Sequence, residues 1–237
     1  MGSESTNIEV APPPPPAYDE LNGSTVYLAG GMNRSGSTWL YNAARLLLLS
    51  DPEIARDLGV CWVGQLGTTQ IRKNMLVKQH ACVDTMVNRA KVILYSYRDI
   101  RDVLASLVRK SRGEASVERA GGLIHQYYKW RKVAHFVMQY EHMLIEPSAV
   151  LTELAAVLRI DNYDHEKILN QLTTLSYEDP GSKNKIYHNE NLLHKTHFTD
   201  GRHGSWHQTL TPELISAVEA SYGDWLRDHN YPCPWPV

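Results

Sequence analysis

The chain has 237 residues, 43% of them hydrophobic, which suits one α/β domain with a sizeable core. Its 24 basic and 26 acidic side chains nearly cancel to a formal charge of −2, so composition argues against a general nucleic-acid binder and any basic site must be local. Three widely spaced cysteines, Cys61, Cys82 and Cys233, form no CxxC pair; they argue against a disulfide framework or a zinc site and for a reducing compartment.

Residues 1–23 read as a disordered lead and 24–237 as a single domain. Five consecutive prolines, Pro12–Pro16, favour an extended stretch, either a solvated tail or a dock for an aromatic groove. The lead carries acidic residues and prolines rather than a basic region followed by an apolar one, so it does not read as a signal peptide. The longest apolar run, around Leu46–Leu49, is too short for a bilayer. The expectation is a soluble cytoplasmic protein with no membrane contact.

From Thr25 strands and helices alternate. Thr25–Gly30 reads as a buried strand, and Ser37–Ser50 as a helix with Ser37 at its N-cap. Gly59–Val63 reads as a short strand, Asn74–Lys78 as an apolar strand, and Val83–Arg89 as a helix. Lys91–Tyr97 is the clearest buried strand, and Asp99 caps a helix running to Arg109. Val117–Val133 is helical and His135–Tyr140 is the last core strand. Pro147–Leu158 is a helix with proline in its first turn, and Asp164–Leu172 is another. Thr173–Arg202 is polar, irregular and rich in His and Asn, the composition of a functional loop or lid. Thr211-Pro212-Glu213 starts the last helix, to about Arg227. Short apolar strands alternating with helices imply a parallel sheet covered on both faces.

The stretch Gly30-Gly31-Met32-Asn33-Arg34-Ser35-Gly36-Ser37-Thr38-Trp39 is the most informative. A strand, a glycine loop with one arginine and several hydroxyls, and a helix start together make an anion site, because the first N–H groups of a helix have no intrahelical partner. The loop nearly fits the Walker A pattern, but Ser37 stands where the lysine belongs. The strand Lys91–Tyr97 also ends without the carboxylate that would hold Mg²⁺.

Arg34-Ser35-Gly36-Ser37-Thr38-Trp39 resembles the phosphosulfate loop of sulfotransferases that use 3′-phosphoadenosine 5′-phosphosulfate (PAPS), with Arg34 at the family's lysine position. Arg98, at a strand end, and Ser106, eight residues later on the next helix, resemble the family's 3′-phosphate signature. Met75-Leu76-Val77-Lys78-Gln79-His80 resembles the strand that supplies the catalytic lysine-x-histidine; residues two apart on an extended segment share a face. Tyr140-Glu141-His142-Met143 resembles a stretch whose tyrosine lies near the adenine. Gly201-Arg202-His203-Gly204-Ser205-Trp206 resembles the segment that closes over the nucleotide. Thr199-Asp200 stands where that segment usually has arginine-lysine, so Arg202 would take over the phosphate contact.

The resemblance spans roughly residues 25–228. It implies a P-loop-kinase-like sulfotransferase fold, α/β, with a central parallel sheet of about four to five strands flanked by helices. It implies PAPS as cosubstrate, 3′-phosphoadenosine 5′-phosphate (PAP) as product, and sulfonate transfer to a hydroxyl or amine of a small acceptor by in-line displacement. His80 is then the general base, since a histidine's ordinary pKa lies near neutrality. Lys78 and Arg34 stabilise charge on the sulfonate and the leaving phosphate. Arg34, Ser35, Gly36, Ser37, Thr38, Trp39, Arg98, Ser106, Tyr140, Gly201 and Arg202 bind the nucleotide. No metal is expected: His188, His194, His197, His203 and His207 show no zinc spacing, though one of them stays open as base in place of His80. A homodimer stays open as well. The acceptor would be shaped by Trp62–Thr69, the helix around Tyr127, Tyr128 and Trp130, and the loop Tyr177–His197. Three other readings stand beside this one: an ATP–Mg²⁺ small-molecule kinase, a non-catalytic nucleotide-binding scaffold, and a sulfotransferase acting on carbohydrate polymers.

Overall fold

The structure is a computed structural model that describes residues 18–111, 113–184, 186–195 and 201–234. The polyproline run Pro12–Pro16, His197 and the Thr199-Asp200 pair lie outside the described residues. In chain order the elements are β1 (Thr25–Ala29), α1 (Ser37–Ser50), α2 (Pro52–Ala55), β2 (Leu58–Trp62), β3 (Asn74–Lys78), α3 (Asp84–Val87), β4 (Ala90–Tyr97), α4 (Ile100–Arg109), α5 (Val117–Val133), β5 (Phe136–Gln139), α6 (Tyr140–Ile145), α7 (Pro147–Leu158), α8 (His165–Thr174) and α9 (Pro212–Asp228).

All strand pairings are parallel, in the order β2-β3-β1-β4-β5. The strands are apolar on both faces because each face is covered by helices. Tyr27, Ala29, Leu76, Val92 and Leu94 feed one core with α1, α7 and α8. Val26, Leu28, Met75, Val77, Ile93 and Tyr95 feed the other with α4, α5 and α9. This is the period-2 alternation of an extended strand, with both sides buried. The chain leaves central β1 toward β2 and β3 on one side, then crosses to β4 and β5 on the other. The loop after β1 therefore lies where the strand order reverses, the crevice in which open α/β sheets bind ligands.

Several expected boundaries shift. Gly36, not Ser37, occupies the cap position of α1: it adopts φ 74°, which glycine tolerates, and Ser37 is already helical. The last core strand stops at Gln139, and Tyr140 opens α6 instead of closing the strand. Residues 18–23 are not part of a loose lead. Tyr18–Leu21 forms a 3₁₀ turn that buries Leu21, and Arg89 pairs with Asp19 and with Asn22. Short 3₁₀ turns at Val63–Thr68 and Ser205–Gln208, together with α2 and α6, carry too few periodic residues to show in sequence.

Candidate active site

The loop after β1 remains tied to β4 as it leaves the sheet: Gly30 N–H donates to Leu94 O (2.7 Å) and Met32 N–H to Ser96 O (2.8 Å). Arg34 (φ 65°) and Gly36 (φ 74°) are both left-handed. The conformation costs a residue with a Cβ roughly 1–2 kcal/mol, and Ser35 between them supplies the restraint that holds it. The Ser35 hydroxyl lies 2.6 Å from Met32 O, 3.0 Å from Ser96 O and 2.8 Å from Ser96 Oγ, and it is fully buried. Ser35 thus turns inward and anchors the loop. Gly31 has no room for a side chain, since a Cβ would lie 2.4 Å from Ser37 Cβ and 2.6 Å from Ser96 Oγ. Helix α1 begins with no side-chain cap, which leaves its first N–H groups to an anion. Trp39 is half-buried against the core on the α1 side.

Lys78 ends β3 directly beside Ala29 of β1. It shares a face with Leu76, so its buried ammonium reaches the first turn of α1 and donates to Thr38 Oγ1. Burial, reinforced by the Arg34 charge, lowers its pKa to about 7. His80 follows just beyond the strand. Its Nδ1 lies 2.7 Å from Gly31 O. A carbonyl only accepts, so Nδ1 carries the proton and Nε2 the lone pair. The Trp62 ring stands 5.3 Å from the imidazole, and Trp130 Nε1–H holds His80 O at 2.9 Å.

A second cluster surrounds Arg98, buried at the end of β4. Its guanidinium lies 4.3 Å over the Tyr140 ring and donates to Arg34 O (3.3 Å) and Arg202 O (2.5 Å). Ser106 Oγ, wholly buried on α4, accepts from Arg34 Nε at 2.9 Å. The two anion motifs, 72 residues apart, are thus physically joined. Tyr140 Oη–H donates to Gly201 O at 2.8 Å, and Asp102 Oδ2 accepts from Gly204 N–H at 2.7 Å. Gly201 (φ 66°) and Gly204 (φ 72°) give the 201–204 turn its left-handed bends. The exposed Arg202 takes part through its backbone carbonyl. Arg101 stacks 4.3 Å over Trp206 and pairs with Asp99 and Glu219, which fixes the next turn.

The sulfotransferase-domain family model matches residues 26–230. The chain belongs to the sulfotransferase family. A mouse sulfotransferase complexed with PAP has the same fold, with a TM-score of 0.64 at 14% identity over 90% of each chain. Retinol dehydratase with retinol and PAP gives a TM-score of 0.58 at 15% identity, over 90% of this chain and 84% of that one. The same protein with androsterone and PAP gives 0.56 at 16% identity, over 93% and 88%. No curated protein matches the sequence.

Within this sulfotransferase the structure brings Arg34, Ser35, Gly36, Ser37, Thr38, Lys78, His80, Arg98, Ser106, Tyr140, Gly201 and Arg202 to one end of the sheet. Asp102 is a further member that the sequence reading passed over, although its place one helical turn after Arg98 is a usable signal. The described part of the His/Asn-rich stretch is not structureless. Asn191 donates to Ser176 O (2.9 Å) and Asp179 Oδ2 (3.1 Å) and accepts from Leu193 N–H (3.0 Å). Asn42 and Tyr41 of α1 hold Asn191 O and Glu190 O. The buried His188 accepts Glu190 and Asn191 N–H on Nδ1, with Nε2 3.3 Å from Pro180 O, so it is structural rather than a spare base. Tyr127 and Trp130 are buried in the core, while Tyr128 is exposed. Among the described residues, no group of three His, Cys, Asp or Glu side chains could hold a metal ion, and no helix is long and apolar enough to cross a membrane.

Proposed function

We propose that this sulfotransferase moves the sulfonate of PAPS to a hydroxyl or amine of a small acceptor by in-line displacement. The observation that carries the reading is the pair at the end of β3. Lys78 sits against the first turn of α1, and two residues on His80 is oriented by Gly31 O so that Nε2 bears the lone pair. The residues fit a 3′,5′-bisphosphorylated nucleotide: α1 has no side-chain cap, Arg98 Nε is buried without a hydrogen-bond partner, and a Cβ on Gly36 would meet the Tyr140 ring at 2.9 Å.

When bound, PAPS would supply a sulfonate already joined to a phosphate leaving group. His80 Nε2 takes the proton of the acceptor; Nδ1 keeps its own proton on Gly31 O, which holds the ring in place. Lys78, Thr38 and the first N–H groups of α1 receive the growing negative charge, and Arg34 adds its own. Arg98, Ser106 and the Tyr140 ring hold the distal phosphate and the base. Ser35 and the glycines preorganise the loop. The rate gain comes from positioning and fixed charges.

The test is release of PAP from PAPS across alcohols, phenols and amines, beside ATP–Mg²⁺ controls. We expect turnover with PAPS and a rise in Tm with PAP. Stabilisation by ATP–Mg²⁺ alone overturns the reading.

A further inference from the structure

Asp102 has no part in the steps above. It lies one turn after Arg98 on α4 and is completely buried. A single oxygen, Oδ2, accepts Gly204 N–H and lies 3.5 Å from an Arg98 nitrogen. The other oxygen is buried with no hydrogen-bond partner. A half-satisfied buried carboxylate is an expensive way to stabilise a helix, so stability alone does not account for it.

The surroundings point to its use. Three hooks hold the 201–204 turn: Tyr140 Oη on Gly201 O, Arg98 on Arg202 O, and Asp102 on Gly204 N–H. Arg98 lies at the centre, in contact with the Tyr140 ring and the Asp102 carboxylate. A phosphate drawn to Arg98 competes with the Arg202 carbonyl for the guanidinium, so that hook is the one nucleotide binding exchanges. The other two persist and keep the turn in place. We propose that Asp102 is the positioning residue of the 3′-phosphate site. By holding Arg98 and the Gly204 amide on one carboxylate oxygen, it makes the arginine and the 201–204 turn act as one unit and gives the enzyme its preference for a 3′-phosphorylated nucleotide. The proposal rests on reading Arg98 as the 3′-phosphate ligand.

The test compares the Kd of PAP with that of adenosine 5′-phosphate, which lacks only the 3′-phosphate, by titration calorimetry on the full chain. Asp102→Asn keeps the shape and removes the charge. It should cut the preference for PAP about tenfold, with adenosine 5′-phosphate unchanged, and Asp102→Glu should restore part of it. An unchanged ratio in Asp102→Asn, or equal weakening of both nucleotides, overturns the proposal. Arg98→Ala separates the two readings: if it keeps the preference, the assignment of Arg98 has failed rather than that of Asp102. Wild-type amide exchange gives an arm independent of folding in the variants. Exchange at Gly204 should slow with PAP and not with adenosine 5′-phosphate; the same slowing with both, or none, overturns the proposal.

Discussion

Two stretches line the same end of the sheet by opposite means. The loop 30–38 gets its shape from the backbone: two left-handed residues, glycines that admit no Cβ, and an uncapped helix start. The segment 176–194 has almost no regular structure and gets its shape from side chains. Asn191 and His188 bond back to nearby amides and carbonyls, and α1 grips the segment from 149 residues away in sequence. The first design leaves backbone donors and charge for an anion. The second satisfies its own polar groups; if it lines the acceptor site, as the sequence suggests, it does so as a fixed wall. A polar, irregular segment is therefore not a flexible one when its amides are answered internally.

The sharpest way to break this division is His80→Ala. The general-base role predicts a kcat lower by roughly 10²–10⁴-fold with PAP affinity unchanged within about twofold. Unchanged turnover would take the base away from the anion half.

Asn191→Ala tests the other half. It removes three side-chain hydrogen bonds at a buried position and should cost about 2–4 kcal/mol in denaturant unfolding. Acceptor KM should rise while the Kd of PAP holds. A comparable loss of PAP binding would show that the wall and the anion loop are one unit.

Gly36→Ala places a side chain at φ 74°, 2.9 Å from the Tyr140 ring. The expected cost is roughly 1–2 kcal/mol, with weaker PAP binding because the loop must shift. An unaltered Tm would mean that the left-handed turn does not hold the loop.

The smallest effect is a pH dependence. Lys78 is a cation below about 7 and loses its charge above it, so PAP binding should weaken by up to about tenfold per pH unit as pH rises past that point. Lys78→Met should flatten this part of the profile. In the nucleotide-free protein the sign reverses. The folded pKa is depressed from 10.5 to about 7, so the unfolded chain holds the proton more tightly. The contribution to stability then improves from pH 7 toward 10.5 and is lost as pH falls through 7.

The parts legible in sequence are those written in neighbouring residues. The apolar runs of β1, β3 and β4 fixed the sheet, and Asp99, Asp164 and Thr211 announced the helices they cap. Arg34, Lys78, His80, Arg98 and Ser106 stood out because strand ends and helix starts place them. Asp102 carries only the hint of its place one turn after Arg98, since its full meaning depends on Gly204, which is distant in sequence. The 176–194 segment did not stand out, because hydrogen bonds to α1 leave no periodicity. Ser35 reads in sequence as one more phosphate hydroxyl; only the contact with Ser96 reveals it as an anchor.

Trp130 touches both the loop after β1 and the end of the β3 segment at His80. Its ring leaves no space beside Gly30, where a Cβ would lie 2.8 Å from it, while its N–H fixes the backbone of His80. Tyr95 backs the ring at 5.5 Å and both residues are wholly buried. A close-packed interior barely compresses, so the indole is a gauge block. Along one edge it gives both the loop after β1 and the His80 backbone a fixed surface to rest against. A change in α5 that tilted the indole would shift the loop after β1 and the His80 backbone together, with no substitution in either motif.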